Sequence, residues 1–285
     1  MLWQGRRESS NVDDRRGMSG GKIAAGGGVI GIIALVLNFL LGGDGTTTIP
    51  QMPTQQRELS PQEAAADDQR AQFVKVVLAD TEDVWSQLFQ NAGKQYTAPT
   101  LVLFRDVVQS ACGNASSASG PFYCPADNDL YIDLSFYEEL QTKFQAPGDF
   151  AMAYVVAHEV GHHIQSLMGT SAKVQRLRGQ VSEEEYNQYS VKLELQADFY
   201  AGVWAHHAQK ITTEDGRNII DAADINEALN AAQAIGDDRL QKQAQGYIVP
   251  ESFTHGSSEQ RMRWSKKGFD TGDLSQGDTF NNTSL

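Results

Sequence analysis

The sequence predicts an α+β fold, mainly helical with a small β-sheet, preceded by one amino-terminal transmembrane helix. Three observations lead there. Apolar residues recur at helical spacing through several long segments, short runs have strand character, and Ile23 to Leu41 is an almost unbroken apolar stretch. The chain has 285 residues, enough for one or two domains with a sizeable core. Hydrophobic residues make up 40% and charged residues 21%, which suits a largely globular chain. The net charge of -13 offers no basic face to neutralise phosphates and argues against a nucleic-acid partner.

In chain order, residues 1–22 carry Arg6, Arg7, Arg15, Arg16 and Lys22, and residues 23–42 read as a membrane anchor. Asn38 is the anchor's only strongly polar side chain; Asp44 is the first charge after it, and no basic residue follows until Arg57. Basic flanks stay in the cytoplasm, so the expected topology is a single-pass inner-membrane protein. Its amino terminus would be cytoplasmic and its bulk periplasmic or extracellular. A signal peptide or a buried helix is the alternative reading of the apolar run. Residues 43–60 are rich in Gly, Thr, Pro and Gln and read as a flexible tether. The domain is expected over 61–270. It opens with a helix over Pro61 to Gly93, in which Phe73, Val76, Val77, Val84, Trp85 and Leu88 form a core stripe. TLVLF within Pro99 to Val108 suits a strand, Cys112 to Gly120 a loop, and Phe122–Cys124 with Leu130–Leu134 two short strands around a turn. Asp149 is a candidate N-cap for a helix running to Met168. Ser182 to Glu185 is a capping box opening a helix to about Gln209, and a third helix spans about Ala222 to Gln243. Residues 271–285 are polar and expected to be disordered.

The helix from Asp149 carries His158-Glu159-Val160-Gly161-His162. Residues four apart share a helix face, so both imidazoles can reach one metal ion, with Glu159 close enough to act as general base towards a water on that ion. Catalytic zinc usually takes three protein ligands. Glu194, flanked by Leu193 and Leu195, is a candidate third. Asp198, one turn further along, can accept the second ring N–H of a liganding histidine. A solvated face carrying both carboxylates is the competing reading. Cys112 and Cys124 fit a disulfide in an exported domain, with metal ligation as the alternative. His163 points about 100° away from His162 and is not expected to be a ligand. His206 and His207 sit near a helix end, and His255 lies in a Gly- and Ser-rich loop beside Glu259, Arg261 and Arg263.

E-x-x-A-D following H-E-x-x-H resembles the gluzincin class of metallopeptidases. More narrowly, five stretches resemble the bacterial neutral zinc metallopeptidase family: Cys112-Gly113, GPFYCPADNDLYIDLSFY from Gly120, AHEVGHHIQ from Ala157, LELQADFYAG from Leu193 and THGSSEQR from Thr254. The resemblance implies a zincin-like domain with one catalytic Zn2+ on His158, His162 and Glu194, Glu159 as the base, and a peptide or protein substrate. In related gluzincins a late His or Arg stabilises the oxyanion or fills the open metal position in a latent state, which offers His255 a catalytic role beside the plain reading of a surface loop histidine. The Leu130–Leu134 strand is either a substrate-binding sheet edge or an ordinary core strand. Two rivals stand: a zinc-stabilised, catalytically silent scaffold or chaperone-like envelope module, and a zinc hydrolase acting on a non-peptide bond.

Overall fold

A computed structural model of the chain describes residues 1–17 and 59–282. The expected anchor and most of the tether lie outside the described residues. Among those described, no helix is long and apolar enough to cross a membrane.

Helix α1, Pro61–Asn91, begins with a reciprocal cap. The Ser60 hydroxyl accepts from the Glu63 amide, and the Glu63 carboxylate accepts from the Ser60 amide. As its periodicity predicts, α1 buries Phe73, Val76, Val77, Val84 and Trp85. A four-stranded sheet packs with it, in the order β1 (Val12–Asp14), β2 (Thr100–Phe104), β6 (Asp129–Asp133), β5 (Phe122–Cys124). β1, β2 and β6 are parallel, whereas β5 runs antiparallel to β6. A separate hairpin, β3 (Val107–Ser110) with β4 (Gly113–Ser116), occupies much of the region expected to be a loop. Six helices of the carboxy-terminal part follow the short α2 (Phe136–Thr142): α3 (Asp149–Leu167), α4 (Thr170–Leu177), α5 (Glu183–Ala208), α6 (Ala222–Ala234), α7 (Asp237–Gln245) and α8 (Ser258–Thr271). One core joins the inner faces of α1, α3, α5 and the sheet, with Leu101, Leu130, Phe150, Val156, Leu195 and Trp204 at its centre.

Several boundaries differ from expectation. The cap of α3 is Gly148, not Asp149; the Phe150 amide donates to Glu227 of α6 at 3.0 Å, so a distant carboxylate does the work assigned to Asp149. The third helix is two, α6 and α7, broken at Gly236. A side chain there would meet the Ser258 backbone within 2.5 Å, so that position must be Gly.

Both ends of the domain require correction. Residues 1–17, expected to be a segment of their own, form an arm paired with the domain. Besides the β1–β2 pairing, the Leu101 amide donates to Asn11 O at 2.9 Å and the Arg15 amide to Leu103 O at 2.8 Å. Arg6 holds buried Asp80 through two bonds of 2.8 and 2.6 Å, and Arg16 holds Asp67 at 2.7 Å. The tail is also ordered through residue 282, contrary to the expected disorder of 271–285. Fully buried Thr279 donates to Lys192 O at 2.7 Å, and the Lys192 ammonium donates to Phe280 O at 3.4 Å. Helix α5 and local turns at Asp273 and Asp278 satisfy the polar groups whose abundance suggested disorder.

Candidate active site

Helices α3 and α5 cross where Gly161 meets Ala197. A Cβ at Gly161 would lie 2.9 Å from Ala197 O, so only small residues let the helices come this close. That approach inserts the Glu194 carboxylate between the two motif histidines. His158 Nε2 is 3.2 Å from Glu194 Oε2, and His162 Nε2 is 3.4 Å from Glu194 Oε1. Donor atoms of all three residues lie within 4.8 Å of one another.

The other ring nitrogens are occupied. His158 Nδ1 is 2.8 Å from Asp198 Oδ1, and His162 Nδ1 is 3.0 Å from Gln165 Oε1. Each partner accepts a hydrogen bond from Nδ1 and leaves Nε2 facing the common point. Asp198 is fully buried and saturated with partners. Arg261 of α8 donates to it from Nε at 2.9 Å and from Nη2 at 3.0 Å, and the Tyr154 hydroxyl donates as well. Glu194 and Asp198 therefore do not lie on a solvated face.

The electrostatics fit these contacts. Burial pulls the His158 imidazole down, but Asp198 and Glu194 outweigh it and lift the ring to about 9. Burial raises Glu194, yet His162, His255 and His158 hold it well below the usual carboxylate range. Glu159 is 5% exposed, and burial pushes its carboxyl up to about 7 even though it accepts the Tyr123 amide. Tyr123 belongs to β5, the sheet edge beside α3. The exposed edge considered for Leu130–Leu134 is thus absent, because β6 lies between β2 and β5. Cys112 and Cys124 are disulfide-bonded, tying the β3–β4 turn to the end of β5.

His255 is buried, not a surface residue. The amides of Thr254, His255 and Gly256 donate to Asp237 Oδ2 at 2.8, 2.7 and 3.1 Å, and His255 Nδ1 lies 3.3 Å from Asp237 Oδ1. Burial lowers the ring's pKa, but Glu194 and Asp237 more than compensate, so it is raised overall. His163 faces away from the cluster, donating from Nε2 to Thr97 O at 2.7 Å, as its position one residue past His162 predicts. His206 and His207 bond Phe269 O and Gly272 O and fasten α5 to the end of α8. Sequence reading assigned no role to Gln165, Tyr154 or Asp237 and left Arg261 in a charged loop; nothing local to these residues names their partners.

Two imidazole nitrogens and a carboxylate oxygen, all buried or half-buried, form a donor set that fits zinc. The fold and cluster define a candidate metal centre of the two-His, one-Glu kind on a crossed helix pair. The chain belongs to the family described as "Putative neutral zinc metallopeptidase", which matches residues 1–280. It is 48% identical to the uncharacterized protein YpfJ of Escherichia coli K12, across 98% of this chain and 99% of that protein. It is 39% identical to the uncharacterized protein Rv2575 of Mycobacterium tuberculosis H37Rv, across 87% of this chain and 86% of that one. No solved structure matches the chain.

Proposed function

We propose that this chain is a zinc-dependent peptidase in which His158, His162 and Glu194 hold the metal and Glu159 is the general base. One observation supports it above the rest. Both histidines have Nδ1 tied to a buried acceptor and Nε2 turned towards Glu194, with a buried, unligated carboxylate next in sequence. A structural zinc site, closed by four ligands, needs no such base beside it. Zinc, when bound, supplies Lewis acidity and an acidified water. Glu159 takes the proton of the attacking water and delivers it to the leaving amine. His255, held by Asp237, donates to the carbonyl oxygen as charge builds there. The test is metal analysis of the purified chain with its arm intact, paired with casein hydrolysis before and after chelation. Absence of bound zinc, or hydrolysis that survives complete chelation, would count against the reading.

The proton role has a pH signature. A Glu159 carboxyl raised by burial accepts a proton only when ionised, so kcat/KM at saturating zinc should fall as pH drops below about 7. The charge of a bound cation moves that midpoint lower. A profile flat from pH 8 to 5 would remove Glu159 from the rate equation.

We also propose that the domain faces an oxidising compartment outside the cytoplasm, a location that the Cys112–Cys124 disulfide supports. The arm must then lie there too. Exposed Ser10 of the arm and Gln95 of the domain are suitable probes. In intact cells, a membrane-impermeant maleimide should label Ser10→Cys and Gln95→Cys equally. Labelling of Gln95→Cys alone would favour the single-pass topology, and labelling of neither would place the domain in the cytoplasm.

A further inference from the structure

We infer that the carboxy-terminal tail is part of the metal site. The Gly277 carbonyl, acting through Gln196 and then Gln165, fixes which nitrogen of His162 faces the metal. This rests on the zinc reading above, although its closing measurement does not need the metal.

The inference follows from which groups can only accept. Gln165 is fully buried on α3, three residues after His162. Its Nε2 sits 2.7 Å from Leu193 O and 3.2 Å from Gln196 Oε1. A carbonyl cannot donate, so Leu193 O fixes the amide with its NH2 turned towards α5. Gln165 Oε1 must then face His162 Nδ1, 3.0 Å away, and that nitrogen must carry the proton. Nε2, on the far side of the ring and 3.4 Å from Glu194 Oε1, is left for the metal. Gln196 repeats the logic one step out. Its Nε2 donates to Gly277 O at 3.0 Å, which turns its own oxygen towards Gln165. Flipping Gln196 would set two NH2 groups against each other and aim its oxygen at a carbonyl. Direction thus passes from a backbone acceptor in the tail to a metal ligand through two buried amides.

The far end of this relay is built to stay in place. A Cβ at Gly277 would lie 2.5 Å from the Phe199 ring, so the tail is seated directly on α5. Thr279 clamps it two residues later by donating to Lys192 O at 2.7 Å. A cavity of about 430 Å³ opens between α4, α5 and the tail, with Gln196, Lys173 and Tyr200 on its wall. Packing alone therefore does not hold the outer side of Gln196, and the Gly277 carbonyl does. His158 is oriented differently, by a buried carboxylate and Arg261. The two metal histidines thus report to different parts of the fold, and only His162 reports to the tail. Gln165, Gln196 and Gly277 are positioning groups; none touches substrate.

Zinc affinity by chelator competition provides the first test. Gln165→Leu should weaken zinc binding about 10- to 100-fold, the usual cost of losing a partner behind a ligand. Gln196→Leu should weaken it about 10-fold, and the double variant should bind no worse than Gln165→Leu alone, because both cut one chain. Gly277→Val, which lifts the tail from Phe199 without touching either amide, should resemble Gln196→Leu. Thermal melting identifies any variant that fails to fold, and the remaining ones then decide. The closing measurement uses metal-free protein. Ring ¹⁵N shifts should show His162 as the Nδ1–H tautomer in the wild type and a growing Nε2–H share in Gln196→Leu and Gly277→Val. Unchanged tautomers and affinities in folded variants, or additive losses in the double variant, would overturn the relay. A wild type that binds no zinc yet shows the tautomer shift would sink the zinc reading and leave the relay standing.

Discussion

Glu159→Gln is expected to retain zinc at wild-type stoichiometry and to lose peptide hydrolysis by about 100-fold or more. The prediction separates the ligand set from the proton carrier. Donor atoms of His158, His162 and Glu194 converge without Glu159. The Tyr123 amide favours the Glu159 carboxylate, and a glutamine oxygen suits the same neighbour, so β5 and α3 should keep their contact. What the glutamine lacks is the capacity to take a proton at neutral pH. Burial makes this a large effect, because a carboxyl lifted to about 7 is well matched to accept a proton from an acidified water and return it. Steady-state hydrolysis beside metal content checks both halves. Equal rates in the two proteins would end the role given to Glu159. A wild type that cleaves no peptide in a broad panel, yet binds unfolded or envelope proteins as the variant does, would favour the catalytically silent scaffold.

Much of this centre is legible in the sequence because helical spacing carries it. His158 and His162 share a face, Glu194 and Asp198 share another, and both pairs depend only on residues four apart. The Ser182 cap and the α1 core stripe are legible for the same reason. Groups whose partners lie far along the chain leave no such trace. Arg261 meets Asp198 across 63 positions, and Gly277 meets Gln196 across 81. Sheet order is likewise invisible to alternation, so β6 read as a possible edge when β5 holds that place. The packing of the arm is invisible for a definite reason. Arg6 and Arg16 look like a basic flank of an apolar run, but their charges are neutralised by Asp80 and Asp67 of α1. Charge counted along the chain does not register a partner 74 residues away. The tail misled in the same way, its polarity being absorbed by Lys192 and Gln196 on α5.

Glu194→Gln is expected to abolish stoichiometric zinc binding, the larger loss of the two because it acts before any chemistry. The carboxylate is the only anionic donor of the three, and it sits between both imidazoles at 3.2 and 3.4 Å. A neutral amide of the same shape keeps the packing and removes the charge. Structural zinc sites bind with about 10–16 kcal/mol shared over four ligands, so one ligand is worth about 3–4 kcal/mol, on the order of 10²- to 10³-fold in affinity. Asp198→Asn calibrates the result. Asp198 only orients His158, so its loss should cost about 10- to 100-fold and leave zinc detectable at high concentration. If Asp198→Asn were the more damaging of the two, the buried Asp198–Arg261–Tyr154 network would be holding the helices together, and Glu194 would be dispensable as a ligand. If Glu194→Gln kept zinc at wild-type affinity, the convergence of Glu194 on both histidines would be an ion-pair cluster and not a metal site. The ordering Glu194→Gln below Asp198→Asn below wild type, measured by competition with a chelator of known strength, is the result that a three-ligand centre on α3 and α5 requires.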